Sequence, residues 1–251
     1  MSNRVGAPLA WLVVAAAAER EFIAYGPSHL VVFLVFAVVA AAVVWFGRRH
    51  GESAAARRGE RGGAVAMLVV QVGMVVYSNA PSRFGVDHSL PLQLSDLVAF
   101  AAVYALWSRR HWAYALTYYW GLVLSTQALV SPALSGPDFP GRDFLVFWGL
   151  HLFVVWAAIY LTGGLGMRPG WRDYRVTVVV TVGWAALAMT VNAFTGANYG
   201  FLNRKPAVDS ILDVLGPWPW YLIPEIALVL GVWALMTWPW VRPVRGLVGL
   251  C

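Results

Sequence analysis

Seven apolar segments, each near the length needed to cross a bilayer, constrain this chain more than any other feature. A transmembrane helix needs about 20 mostly apolar residues. Lipid offers the backbone no hydrogen-bond partners, so each segment has to satisfy its own polar groups as a helix. The segments lie at 29–46, 64–78 with its flanks, 90–107, 112–130, 144–162, 176–194 and 220–240. They predict an all-α, polytopic membrane protein with about seven transmembrane helices.

Composition agrees with lipid as the main solvent. Only 12% of the 251 residues are charged, whereas a soluble domain carries about a quarter. We therefore expect one transmembrane helical domain over 29–241, a short tail over 242–251, and an N-terminal segment over 1–28. The apolar stretch 7–18 is too short to span a bilayer, and an interfacial helix is favoured there over a signal-peptide core.

The basic residues alternate between loops and predict the orientation. Twelve lie in the first, third and fifth loops and in the tail, against six on the other side. By the positive-inside rule the richer side is cytoplasmic, so the N-terminus lies outside and the C-terminus inside. The weakest span is 64–78, because Gln71 and Gly73 interrupt a short apolar run.

Several classes of protein are disfavoured by the same sequence. The net charge of +6 comes from residues dispersed between spans, with no stripe that would bind nucleic acid. Cys251 is the single cysteine, which rules out a disulfide within the chain and a thiolate zinc site. His29, His88 and His151 match no familiar ligand spacing, so we expect neither a metal nor another cofactor.

Polar residues gather toward the predicted outer ends of the helices, while the inner halves are almost purely apolar. Helical rise places His151 about 10 Å below the outer surface. Ionisable groups inside a bilayer usually face a polar cavity or one another, so the pattern predicts an outward-facing pocket. Its candidate residues are Gln93, Ser95, Asp96, Gln127, His151, Asn192, Asn198, Tyr199, Lys205, Trp220 and Glu225.

Structural roles compete with this interpretation. Ser95 is a small residue of the kind that lets helices pack closely, and Asn192 is the kind that joins helices by hydrogen bonds. Asp96 in a first helical turn stabilises the positive end of a helix. His151, with apolar neighbours on both sides, fits a structural hydrogen bond as well as a catalytic role.

Two stretches resemble a known family. The run His88-Ser-Leu-Pro-Leu-Gln-Leu-Ser-Asp96 resembles the Leu-Pro-Leu-(His/Gln)-Leu-Cys-(Ser/Asp) motif of the YwaF-like bacterial integral membrane proteins. The runs Asn198–Pro206 and Gly216-Pro-Trp-Pro-Trp-Tyr221 resemble that family's second signature. The family is similar to a eukaryotic multispanning acyltransferase of ether phospholipids, and more remotely to the androgen-induced hydrolases of fatty acid esters.

This resemblance implies a bacterial plasma-membrane protein that acts on membrane lipids. The motif's Cys position falls on Ser95, and the helix-five His falls on His151. Unlike a thiol, a serine hydroxyl depends on an adjacent base. His151 would supply that base, with Asp96 or Glu225 orienting it by triad logic.

Two functions remain open from the sequence. The first is a lipid acyltransferase or acyl-ester hydrolase with Ser95 as nucleophile and His151 as base. The alternative is a non-enzymatic lipid or small-solute binding protein or transporter that uses the same pocket. In that case Arg204 and Lys205 would attract anionic ligands at the outer rim, and the loss of the motif's thiol would mark a loss of catalysis.

Overall fold

The structure is a computed structural model that describes residues 20–205 and 211–241, and helices are its only regular secondary structure. The predicted segment 7–18 and the tail 242–251 lie outside the described residues. Seven helical rods follow one another along the described chain. They are α1 (Pro27–His50), α2 (Ala54–Ser78), α3 (Leu94–Ser108), α4 (His111–Trp120, with a π-helical turn Gly121–Ser125 and a last turn Thr126–Val130), α5 (Arg142–Ile159, with a π-helical turn Tyr160–Gly164), α6 (Trp171–Thr195) and α7 (Leu222–Val241).

The all-helical membrane architecture is confirmed at the level of its long helices. Helices α1, α2, α5, α6 and α7 are long and apolar enough to cross a membrane, judged by length and composition. Helix α3 has 15 residues and is shorter than that standard. Each predicted segment coincides with one rod, while the count of seven spans and the orientation of the termini stay predictions.

Helix α2 differs most from its predicted extent. It begins at Ala54 rather than near residue 64, because the Ser53 side chain accepts a hydrogen bond from the Ala56 amide and caps the helix. The later part of the predicted basic loop, with Arg57, Arg58 and Arg61, is therefore helical. Gln71 does not interrupt the helix, since its side chain is buried against α3.

Helices α3 and α4 form the centre of the bundle. Helix α3 packs against α2, α4 and α5, and its alanines at 99, 102 and 105 are buried. Helix α4 contributes large buried aromatics, with Trp120 Nε1 donating to Thr181 Oγ1 of α6 at 2.9 Å. Tyr119 shares a 2.7 Å hydrogen bond with Thr237 of α7. These bonds attach α6 and α7 to α4.

Helix α1 lies against α5 at a contact made by two glycines. A Cβ atom on Gly47 would lie 2.6 Å from the Gly164 Cα atom, so no larger residue fits. Gly164 ends the π-helical turn of α5, where Arg48 Nε also donates to the Gly163 carbonyl at 2.9 Å. The close approach fixes α1 at the end of the bundle where α3 finishes.

Candidate functional site

Ser95 lies in the first turn of α3 and is exposed. Val98, Ala99 and Ala102 follow it at three, four and seven residues, which places them on the same helical face, and all three are buried. The bundle therefore closes over this face below Ser95 and opens at Ser95 itself. Ser95 is thus the exposed residue at the start of an otherwise buried face.

Asp96 points toward α2. Its Oδ1 atom accepts a hydrogen bond of 3.3 Å from Gln71 Nε2, and its side chain is half-buried. Sequence analysis treated Gln71 only as an interruption of a span. The structure instead makes it the partner of a candidate site residue, while its own Oε1 atom is buried without a partner among the described residues.

His151 lies half-buried on α5 with its protonation pattern set by the backbone. Its Nδ1 atom is 2.7 Å from the Phe147 carbonyl oxygen. A carbonyl only accepts, so Nδ1 carries the hydrogen, and in the neutral ring Nε2 carries the lone pair. No described residue hydrogen-bonds to Nε2. The ring lies 4.4 Å from the Phe147 ring, which holds it in place.

Helices α3 and α5 pack against each other, but no hydrogen bond among the described residues joins Ser95 to His151. The buried Ser125 is a further hydroxyl near α5. It closes the π-helical turn of α4, and that turn packs against α5. π-Helical turns recur at functional sites, which is the signal that could have drawn attention to Ser125.

Three of the candidate binding residues form a clasp between α3, α6 and the loop after α6. Asn192 bonds twice to the Tyr199 backbone, with Nδ2 donating to the carbonyl at 3.0 Å and Oδ1 accepting from the amide at 2.8 Å. The Tyr199 hydroxyl donates to the Val86 carbonyl at 2.7 Å, and burial raises its pKa. Gln93 Oε1 accepts from the Gly200 amide at 3.2 Å. No described residue accepts a hydrogen bond from the NH2 group of Gln93.

Asn198 and Lys205 also make contacts within the loop that follows α6. Asn198 Oδ1 accepts from the Asn203 and Arg204 amides, and its Nδ2 donates to the Arg204 carbonyl. Lys205 Nζ lies 3.7 Å from Asp213 Oδ1 and 5.9 Å from the centre of the Tyr221 ring. The ammonium group is thus partly neutralised at the rim.

The remaining candidate residues make fewer side-chain contacts. Gln127 and Trp220 are exposed, and Glu225 is half-buried in the first turn of α7. Neither Gln127 nor Glu225 hydrogen-bonds through its side chain to a described residue. Tyr221, one turn before Glu225, is buried and donates its hydroxyl to the Phe201 carbonyl.

His29 illustrates a histidine with a structural role. It is fully buried, its Nδ1 accepts from the Tyr25 amide at 2.8 Å, and its Nε2 lies 2.9 Å from the Leu129 carbonyl. Both nitrogens are used, so it has none left for a metal. Over the described part of the chain, no group of three His, Cys, Asp or Glu side chains is arranged to hold a metal ion.

Helix α2 begins with a buried charged cluster that precedes the predicted span 64–78. Glu60 is buried there against Arg57, Arg109 and the Tyr160 hydroxyl. Sequence reasoning assigned residues 48–61 to a loop and so missed the cluster. An i, i+3 Arg–Glu spacing at 57 and 60 was the available signal.

The long apolar helices define a multi-pass α-helical membrane protein. A family model described as the TMEM164 family matches residues 24–237. The chain belongs to the TMEM164 family. No curated protein and no solved structure matches the chain.

Proposed function

We propose that this chain is an integral membrane enzyme that transfers or hydrolyses acyl groups of membrane lipids at the bundle end that holds Ser95 and His151. The proposal includes seven spans, an external N-terminus and a bacterial plasma-membrane location, and it rests on the family resemblance read from the sequence. The observation that carries it is His151. This ring is half-buried, and its unprotonated nitrogen, Nε2, hydrogen-bonds to no residue in the described part of the chain.

In the proposed reaction Ser95 Oγ attacks the ester carbonyl of a lipid while His151 Nε2 takes its proton. The tetrahedral intermediate collapses by breaking the ester C–O bond, and His151 returns the proton to the leaving alkoxide. An acceptor hydroxyl or water then attacks the acyl-serine by the reverse sequence. Catalytic hydrogen bonds are often long without substrate and tighten when it binds, so the Ser95–His151 bond is expected in the lipid complex.

Two amides can stabilise the oxyanion. Gln93 has Oε1 fixed on the Gly200 amide, which leaves its NH2 group as a donor beside Ser95 in sequence. Gln127 is exposed with its amide unused. Removing one oxyanion donor typically costs about 100- to 1,000-fold in kcat. The Phe147 carbonyl, which accepts from His151 Nδ1, would orient the ring in the role that a carboxylate has in a triad, while Asp96 bonds to Gln71.

A fluorophosphonate probe tests the nucleophile in membranes that contain the full chain. We expect labelling of Ser95 that is lost in Ser95→Ala and in His151→Gln. Ser108→Ala and His50→Gln are the matched controls, on α3 and α1 at the other end of the bundle, and should keep it. Ser95→Cys restores the family's thiol and should transfer labelling to thiol-directed acyl probes. Unchanged labelling in Ser95→Ala would rule the proposal out.

The second candidate is a lipid or small-solute binding protein or transporter. It is favoured by one observation: Ser95 makes no hydrogen bond to His151 among the described residues. This function predicts that lipid retention and transport in reconstituted vesicles survive Ser95→Ala. An absence of acyl turnover in both the natural chain and Ser95→Cys would decide for this candidate.

A further inference from the structure

A cavity with charged residues in its lining lies at the opposite end of the bundle from Ser95, between the start of α4 and the start of α6. Its volume is about 510 Å³. It is lined by Arg110, His111, Trp112, Arg172, Asp173 and Val176. The chain enters α4 directly after α3 ends at Ser108, so this cavity is separated from Ser95 by the full length of α3.

The charges that line the cavity favour an anion. Arg110 and Arg172 are exposed, and neither guanidinium group hydrogen-bonds or ion-pairs with a described residue. Asp173 is already committed, because its Oδ2 accepts from the Gly170 amide at 2.9 Å and its Oδ1 lies 3.7 Å from His111 Nδ1. The cavity therefore presents two unpaired cations and one carboxylate that is occupied.

The surroundings of the cavity are those of a membrane interface. Trp112 is partly exposed and stacks on Tyr104 of α3 with the ring centres 5.1 Å apart. Val176 lines the cavity, and Val179, on the next turn of α6, is 71% exposed. Tryptophan is enriched where a bilayer meets water. An exposed apolar surface thus continues directly from the cavity.

The geometry points to a binding site for the phosphate of an anionic phospholipid, with its headgroup in the cavity and its chains along the Val176–Val179 face of α6. Guanidinium groups bind phosphate oxygens in a two-point geometry, and basic pockets between transmembrane helices bind anionic headgroups. A dissolved phosphate would satisfy the arginines but would leave the adjoining tryptophan and valine surface without a role. The site needs no acyl chemistry and is independent of Ser95.

Native mass spectrometry of the full chain tests the site by the lipid that it retains. The protein is incubated with mixed micelles of phosphatidylglycerol and phosphatidylcholine, and the preference for phosphatidylglycerol is measured. Arg110→Gln/Arg172→Gln should lose about 30-fold of that preference, because each cation near a membrane surface contributes about a fivefold factor. Arg58→Gln/Arg168→Gln removes the same charge from exposed arginines outside the cavity and should keep most of the preference.

Three results would overturn the site. They are an unchanged preference in the cavity variant, an equal loss in both double variants, and displacement of the lipid by millimolar inorganic phosphate. The second would mean a general attraction of a basic face, and the third a site for a soluble anion. If the double variant does not fold, Arg172→Gln alone serves, since its exposed side chain makes no described contact, and it should lose about fivefold.

Discussion

Arg109 and Glu60 form a two-point ion pair that joins the end of α3 to α2. Arg109 Nε lies 3.0 Å from Glu60 Oε2, and Nη2 lies 2.5 Å from Oε1. The Tyr160 hydroxyl of α5 donates to the same carboxylate at 2.6 Å. One buried acid therefore ties three helices together, and its hydrogen bonds raise the pKa of Arg109, which keeps the guanidinium charged.

Glu60→Gln should strongly destabilise the protein, whereas Glu52→Gln should not. The Glu60 side chain is only 3% exposed, and removing its charge takes the ion-pair partner from Arg57 and leaves Arg109 with only the exposed Glu52. Breaking a buried pair costs about 3–5 kcal/mol. Glu52 also bonds to Arg109 but is 92% exposed, where a pair contributes about 0–1 kcal/mol. The free energy of unfolding of the two variants is measured in detergent. An equal loss of stability in Glu60→Gln and Glu52→Gln would contradict the buried role of Glu60.

Asn192→Leu should loosen the loop 196–205. The substitution removes both hydrogen bonds to the Tyr199 backbone, and the side chain is 1% exposed. Leaving these buried groups without partners should cost about 2–3 kcal/mol. Limited proteolysis should then cut the loop faster. Thr190→Ala, an exposed change two residues earlier, is the control, and cleavage at the natural rate in Asn192→Leu would refute the clasp.

Gly47→Ala and Gly73→Ala should act in opposite directions. A Cβ on Gly47 would lie 2.6 Å from the Gly164 Cα, a backbone atom that cannot move aside easily. We expect a loss of about 1–3 kcal/mol from overpacking. Gly73 has no atom within 4 Å of such a Cβ, so alanine should stabilise α2 by about 0.5–1 kcal/mol. The unfolding temperatures of the two variants measure this, and shifts in the same direction would contradict the prediction.

Asp87→Asn should lower the pKa of His88. In the natural chain that pKa is raised above its ordinary 6.5, first by the Arg83 carbonyl 3.1 Å from Nε2 and then by Asp87 2.9 Å from Nδ1. A raised histidine pKa stabilises the fold fully below about pH 6.5, and the contribution disappears as the pH rises through the folded-state value.

NMR titration of the His88 ring measures this directly. Asp143→Asn is the matched control, since Asp143 is about as exposed as Asp87. A His88 titration unaltered by Asp87→Asn would show that the carboxylate does not contribute. Both residues lie at the surface, so no change in overall fold is expected.

The positions of the helices could be read from the sequence, since every predicted apolar segment coincides with a rod. The site could be read only in part. Depth along a helix follows from residue number, and it placed Ser95, Asp96 and His151 toward one end of the bundle. The direction in which each side chain points does not follow from residue number. Successive residues turn by about 100° around the helix, and the rotation of each helix about its axis depends on its neighbours. The sequence pattern therefore could not predict whether Asp96 contacts Gln71 or whether His151 contacts Ser95.

The sequence by itself determined that this chain forms long apolar helices, because lipid forces every spanning segment to satisfy its own backbone. Only the tertiary structure decided how each polar group is used. It engaged Asn192, Tyr199 and the Oε1 atom of Gln93 in holding a loop, and it buried Glu60 between two arginines. It left His151 Nε2 without a hydrogen bond to any described residue. Such partners lie far apart in the chain, and only the packing of whole helices brings them within hydrogen-bond reach.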